Sequence, residues 1–400
     1  MTPLEEFITA HAGDDTSALL LGRAKWPQVD MDLAVSTIEG RRRIRSKLPR
    51  WYADTSLIYP TRLCTEQCSS EQTAALKARI VSEHIACGPF HIADLTGGLG
   101  VDCEAFSRVT SEVLYNEMDP ALADAARHNF KALGVNTLIR CSEVRPGAVA
   151  HILDGFVPDV VFLDPARRAA DGRKVFRLED CSPDILSLRD ELFGICRHIL
   201  VKLSPMADIS LVASQLGRVR EMHVVAAGGE CKELLVWMDR EYMDSRYRLI
   251  CWESDACFET DSSAESSAVA SYCQGAEAVR GWLFEPGRSL TKAGLFKTLS
   301  ARLGLNKIGV STHLYVTDSP SDELRRLGKL FRIDEVLPLK SRTIKDASRR
   351  ISQAEVSAFN VPITAEVLRQ RLGVRPSQTT HLFAAHLDNP SSNILIITSK

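Results

Sequence analysis

Asp94-Leu95-Thr96-Gly97-Gly98-Leu99-Gly100, preceded by the apolar lead His91-Ile92-Ala93 and followed by Val101-Asp102-Cys103-Glu104-Ala105-Phe106, decides how this chain folds. An acidic residue ends a short strand, a glycine turn follows, and a helix begins. In a doubly wound α/β sheet such a turn lies at the carboxyl edge, where glycines let the backbone approach a ligand that side chains would exclude. The spacing predicts a nucleotide-type cofactor site built on Asp94, Gly97, Gly98 and Gly100.

Spacing also discriminates among cofactors. A dinucleotide fingerprint needs a third glycine three residues after Gly100, and Cys103 stands there. Asp94 would repel a phosphate but suits the ammonium of an amino-acid moiety, which S-adenosylmethionine carries without any phosphate. The second strand, Glu112 to Asn116, runs into Glu117-Met118-Asp119-Pro120 and a helix from Ala121 to Leu133. At the end of that strand Glu117 can accept both hydroxyls of a ribose. A fourth strand ends in Val160-Val161-Phe162-Leu163-Asp164-Pro165-Ala166-Arg167-Arg168.

Taken in order, these stretches resemble the class I S-adenosylmethionine-dependent methyltransferases, with an acid and glycines after strand one, an acid after strand two, and Asp-Pro after strand four. The resemblance implies an α/β, Rossmann-like catalytic domain and S-adenosyl-L-methionine as cofactor. In the amino-directed nucleic-acid enzymes of this class the fourth-strand motif is Asp/Asn-Pro-Pro-aromatic; the acid accepts the amine's hydrogen bond and the ring stacks the base. Asp164 and Pro165 match, whereas Ala166 and Arg167 replace the second proline and the ring. An arginine can still stack a base plane or hold a phosphate; alternatively Arg167 and Arg168 pair with Glu179 or Asp180. By the same analogy the adenine contact follows the third strand, Thr137 to Arg140. The family's usual aspartate is replaced there by Ser142, which leaves Ser142 and Glu143 as candidates. Ser69, in a segment similar to the family's cofactor lid, either caps the following helix or touches the cofactor. A cysteine-based C5-pyrimidine mechanism would want a cysteine after strand five, where the chain has Leu203-Ser204-Pro205.

Four hundred residues with 45% hydrophobic content predict two or three domains. A net charge of -2 argues against wholesale coating by nucleic acid but leaves local basic surface open. The start has no leader-like pattern and no stretch approaches the ~20 apolar residues of a membrane span, so a cytoplasmic protein is expected. Eleven cysteines without a paired framework fit reduced thiols. Cys64, Cys68, His84 and Cys87 loosely imitate a zinc pattern, but a helix from Glu71 to Ile85 would hold the two halves roughly 20 Å apart, so no metal is expected.

Residues 1 to about 60 read as short helices, Leu4 to Ala10, Thr16 to Leu21 and Met31 to Lys47. The run Arg41 to Lys47, with Trp51 and Tyr52 beside it, either grips phosphates and a base or is a solvated helix face. A helix over Thr65 to Ala86 leads into the Asp94 strand. From His91 to Arg240 strands and helices alternate. His198 to Leu203 is strand five, and an antiparallel pair, Val219 to Ala226 and Leu234 to Met238, completes the sheet by about residue 240. Residues 241–279 carry eight acids against two bases and read as a junction. Beyond it, residues 280–375 carry eighteen Lys and Arg against nine Asp and Glu. Strands are expected at Gly281 to Pro286, His313 to Val316, Arg332 to Leu337, His381 to Ala385 and Asn393 to Thr398, with helices at Leu290 to Leu303, Ile344 to Arg350 and Thr364 to Leu372.

Glu66-Gln67-Cys68-Ser69-Ser70-Glu71, the Asp94 loop, Asp164-Pro165-Ala166-Arg167-Arg168 and Lys292-Ala293-Gly294-Leu295-Phe296 together resemble, over nearly the whole chain, a bacterial methyltransferase family with ferredoxin-like and THUMP-like domains. The expected plan is a helical region (1–85), a class I methyltransferase domain (86–240), a junction (241–279), a ferredoxin-like domain (280–328) and a THUMP-like domain (329–400). THUMP modules of other enzymes bind tRNA, so the resemblance implies RNA as partner. The expected activity is methylation of a tRNA or rRNA base by in-line transfer, with Asp164 orienting the acceptor beside Pro165 and Arg167. A non-catalytic RNA-binding protein that keeps the fold, or a small-molecule methyltransferase, remains open.

Overall fold

The computed structural model describes residues 2–85, 88–167 and 177–400. Two compact units are formed, one by residues 1–220 with 235–245 and the other by 221–234 with 246–400.

In the first unit the short apolar runs become parallel strands: β1 (His91–Asp94), β2 (Glu112–Asn116), β3 (Thr137–Arg140), β4 (Val160–Leu163) and β5 (His198–Leu203). Their order is β5-β4-β1-β2-β3, with Ala93 opposite Leu114 on one side and Val161 on the other. All four residues of β4 are buried, as a strand covered on both faces requires. The order reverses between β1 and β4, so the carboxyl ends of these two strands flank the crevice of the fold. Phe106 meets Phe162 edge-on at 5.2 Å between ring centroids, which ties the helix after the glycine turn to the middle of the sheet.

Among the described residues six α-helices precede β1: Pro3–Ala10, Thr16–Leu21, Met31–Ile44, Pro49–Ala53, Arg62–Gln67 and Glu71–His84. Thr2 and Glu5 form a capping box, and Asp15, Asp30 and Ser70 cap their helices with side-chain oxygens. The helix expected to run on to Lys47 ends at Ile44. The one expected over Thr65 to Ala86 is interrupted at Cys68, which turns extended (ψ 157) before Ser70 restarts the chain as a helix. Ser70, and not Ser69, is therefore the cap.

Most of the cation run is engaged locally, while Arg45 stays exposed with its guanidinium over the Tyr52 ring. Arg41 donates to the carbonyls of Asp54 (2.7 Å) and Tyr52 (2.9 Å), and Arg42 to those of Ala12 (2.9 Å) and Asp14 (2.6 Å). Arg43 pairs with Glu39 at 3.0 Å, Lys47 donates to the Glu66 carbonyl at 2.8 Å, and Trp51 is buried. These cations satisfy loop carbonyls that the short helices leave open.

In the second unit, strands also form beyond residue 240. Arg248–Glu253 pairs in parallel with residues of Val219–Ala227, Arg248 opposite Glu221, and antiparallel with Ala256–Asp261. The acidic stretch read as a junction thus holds these two strands and also Ser271–Tyr272, the first of them built on the buried run Leu249-Ile250-Cys251-Trp252.

The other sheet of this unit has eight strands in the order Ser271–Tyr272, Asn306–Lys307, Tyr315–Thr317, Trp282–Pro286, Gly328–Pro338, Ser391–Ser399, Thr380–Asp388 and Glu355–Phe359. One helix was expected over Leu290 to Leu303, but Gly294 adopts a left-handed conformation (φ 70) and divides it into Arg288–Ala293 and Phe296–Leu303. Ile344 and Ala347 of helix Ser341–Arg350 and Leu368 and Leu372 of helix Ala365–Leu372 pack on Leu382 and Leu395 of the sheet.

Candidate active site

β1 delivers Asp94 fully buried at the mouth of the crevice. Its Oδ1 accepts the Thr96 amide at 3.1 Å, while Oδ2 is buried and has no hydrogen-bond partner among the described residues. Two glycines of the turn are fixed by packing: a Cβ at Gly97 would fall 2.1 Å from the Tyr115 ring, and one at Gly100 (φ 90) would fall 2.6 Å from the Phe130 ring. Gly98 differs, because a Cβ there would meet nothing within 4 Å. Its amide donates to Glu117 Oε2 at 2.8 Å and its carbonyl accepts the Tyr115 hydroxyl at 2.6 Å, so the turn is held from β2 while its exposed edge stays open.

Glu117 also accepts the Asp119 amide at 2.9 Å through Oε1, which sets its carboxylate at the end of β2. Met118 beside it is 62% exposed. Asn116, fully buried, donates to the carbonyls of Leu95 (3.1 Å) and Ser142 (2.9 Å) and so joins the end of β1 to the segment after β3. Only the backbone of Ser142 takes part. Among the described residues its hydroxyl and the exposed Glu143 carboxylate make no hydrogen bond.

Burial drives the Asp94 carboxyl pKa well above its ordinary value, and the nearby Asp102 adds to the shift. Asp102 is itself paired with the fully buried Lys77 at 3.1 Å. The Ser69 hydroxyl donates to Asp102 at 2.7 Å and accepts from Lys77 at 3.1 Å. An orphaned, buried carboxylate oxygen beside an open glycine edge fits an ammonium group, and the Glu117 carboxylate fits vicinal hydroxyls. The donor set therefore fits the amino-acid and ribose parts of S-adenosylmethionine.

At the end of β4, the Asp164 amide donates to Thr96 Oγ1 at 2.6 Å, which ties the fourth-strand motif to the glycine turn. Its half-buried carboxylate is engaged by Lys202 of β5, and Pro165 behind it is buried. The backbone of Arg167 pairs with Cys181 in a short ribbon. The Arg167 side chain, Arg168 and residues 169–176, and with them the expected pairing of the two arginines, lie outside the described residues, as does Cys87 of the cysteine cluster. Lys202 and Asn116 were not singled out from the sequence. Each sits at or near the end of a short strand, where a polar residue ordinarily reads as solvated.

Family models match a ferredoxin-like domain over residues 282–324 and a THUMP domain-like module over residues 328–400. An uncharacterised S-adenosylmethionine-dependent methyltransferase of Mycobacterium tuberculosis is 26% identical over 329 residues, which span 79% of this chain and 82% of that one. The crystal structure of a Porphyromonas gingivalis W83 protein described as a candidate methyltransferase is 30% identical, covers 99% of this chain and 97% of its own, and superposes with a TM-score of 0.85. With the fold shared from end to end and the acid–glycine turn in place, this chain belongs to the family of S-adenosylmethionine-dependent methyltransferases that carry ferredoxin-like and THUMP-like domains.

Proposed function

We propose that this enzyme methylates RNA, with Asp164 orienting an acceptor amine of a base. The observation that carries the reading is the double attachment of Asp164, through its amide to the Thr96 hydroxyl of the glycine turn and through its carboxylate to Lys202. An acid held in this way keeps a constant position relative to the cofactor turn, and position is what an in-line displacement needs.

When bound, the cofactor supplies an electrophilic methyl carbon on a sulfonium. Asp94 would take its ammonium and Glu117 its ribose hydroxyls; Met118 offers an apolar face for the adenine, with Ser142 and Glu143 at the adenine's polar edge. Lys202 holds one oxygen of Asp164 and leaves the other to accept the N–H of the acceptor. As the nitrogen would gain its bond to the methyl carbon while the carbon–sulfur bond breaks to leave a neutral thioether, the Asp164 carboxylate would stabilise the positive charge developing on the nitrogen, whose extra proton is then lost to solvent. Pro165 stiffens the turn, and Arg167 is proposed to touch the base or its phosphate.

RNA is favoured as substrate by the THUMP-like match and by eighteen cations against nine acids over residues 280–375. The test is transfer of a labelled methyl group from S-adenosylmethionine into RNA of cells that lack the protein. Labelled nucleosides that disappear with Asp164→Ala support the reading. RNA binding without any transfer would favour a binding protein, and transfer only to small molecules would refute the reading.

A further inference from the structure

One cavity of the second unit gathers four cations of the basic region. Its volume is about 370 Å³, and Arg288, Arg325, Arg326 and Lys329 stand on its wall. It forms where Trp282–Pro286 pairs with Gly328–Pro338, Pro286 opposite Gly328 and Glu285 opposite Lys329. A Cβ on Gly328 would lie 2.3 Å from the Glu285 carbonyl, so this close approach of the two strands depends on glycine. Helix Asp322–Leu327 supplies Arg325 and Arg326, and the Arg325 guanidinium sits over the Trp282 ring, 5.4 Å from its centroid.

Three acids also line the wall: Glu253, Asp255 and Glu285. Glu253 is already engaged, accepting the Ser289 amide at 2.6 Å and its hydroxyl at 2.7 Å, and burial raises its pKa. The four cations are exposed, and among the described residues none of them forms an ion pair. Arg41, Arg42 and Arg43, turned onto carbonyls or a carboxylate, show the opposite arrangement. Unpaired cations on a concave wall focus positive potential and favour an anion over water. Guanidinium forks suit phosphate oxygens, and an arginine stacked on a ring is already fixed in place for that contact. A cavity of this size accommodates one nucleotide, not a folded macromolecule.

We propose that this cavity is a phosphate-recognition subsite for the RNA strand, seating one nucleotide while Arg325, Arg326 and Lys329 contact its flanking phosphates. The inference rests on the RNA reading above and adds to it the place where the strand is held.

The test uses the full-length protein, bulk tRNA as probe, and fluorescence anisotropy over a salt series. The triple variant Arg325→Gln/Arg326→Gln/Lys329→Gln should bind RNA on the order of ten-fold more weakly at low salt, with the slope of log affinity against log salt reduced by about 2. Arg326→Gln/Lys329→Gln keeps the stack on Trp282, guards against a folding defect, and should lose a smaller part of the slope. Calorimetry with S-adenosylmethionine should give wild-type affinity for both variants. Inorganic phosphate and a mononucleotide should compete only at millimolar concentrations. An unchanged salt slope in the triple variant, or displacement of RNA by micromolar phosphate, overturns the subsite and leaves the RNA reading standing. Failure of the wild-type protein to bind RNA at any salt overturns both.

Discussion

Lys202 of strand β5 closes on the carboxylate of Asp164 at the end of β4, so the acid of the fourth-strand motif is held by a neighbouring strand as well as by its own backbone. Lys202→Met should therefore lower methyl transfer by roughly 10- to 100-fold, as loss of a positioned charge does, while cofactor affinity stays within a few-fold. Asp164→Ala combined with Lys202→Met should be no slower than Asp164→Ala alone, because the two act as a unit. Additive losses in single-turnover assays would separate them.

Two adjacent glycines should respond differently to alanine. Gly97→Ala drives a Cβ into the Tyr115 ring and should lower the melting temperature. Gly98→Ala meets no protein atom; it costs roughly 1–2 kcal/mol for its left-handed backbone (φ 52) and points a methyl group into open space. Its larger effect should be on S-adenosylmethionine affinity. A Gly98→Ala protein with wild-type calorimetric affinity would mean that the turn's open edge does not face the ligand.

Glu117→Ala should weaken S-adenosylmethionine binding by ~1–3 kcal/mol, the cost of unmade hydrogen bonds. Part of that loss comes from freeing the Gly98 and Asp119 amides that the carboxylate now holds. Glu117→Gln, which keeps one acceptor, should fall between the two. Equal calorimetric losses for both variants would show that charge, and not acceptor geometry, is what matters.

Cofactor binding should release a proton. Burial and the neighbouring Asp102 keep Asp94 protonated above the usual carboxylate range, whereas an ammonium placed against it favours the ionised form. Affinity should accordingly rise with pH across the interval from the ordinary aspartate range up to the raised value, then level off. Folding stability has the opposite sign over that interval, since the native state binds the extra proton and loses ground as pH rises. Calorimetry in two buffers of different ionisation enthalpy reads the proton directly, and uptake instead of release would refute the assignment.

Arg41 and Arg42 make a negative test. Both are engaged by loop carbonyls, so Arg42→Gln should lower the melting temperature and leave the salt slope of RNA binding unchanged. A slope that falls with this substitution would move the RNA contact to the amino-terminal helices.

The parallel strands were legible because each is a short apolar run ended by a polar residue, and the turn residues Asp94, Gly97, Gly98 and Gly100 because their spacing admits few alternatives. Lys202 was not, since a lysine near a strand end ordinarily reads as solvated; only its partner, 38 positions away, shows why it is there. Arg248–Glu253 escaped because four apolar residues sit in a stretch dominated by acids. The break at Gly294 was hidden by apolar periodicity that continues from Leu290 to Leu303 across it. Glu355–Phe359, a parallel edge strand with every side chain at least partly exposed, carries no alternation to detect.

Asn116 binds the carbonyl of Leu95 with the same amide group that binds the carbonyl of Ser142, so the end of β1 and the segment after β3 are one body. With Asp94 and Glu117 gripping ammonium and ribose as proposed, every contact assigned to the cofactor falls on atoms that the reaction leaves unchanged. S-adenosylhomocysteine, short of one methyl group and one charge, would meet the same rigid template and leave it no more readily than the cofactor itself. Turnover would then be paced by how quickly spent cofactor is cleared from solution, and the cell's ratio of the two compounds, more than the amount of enzyme, would govern how much substrate is modified.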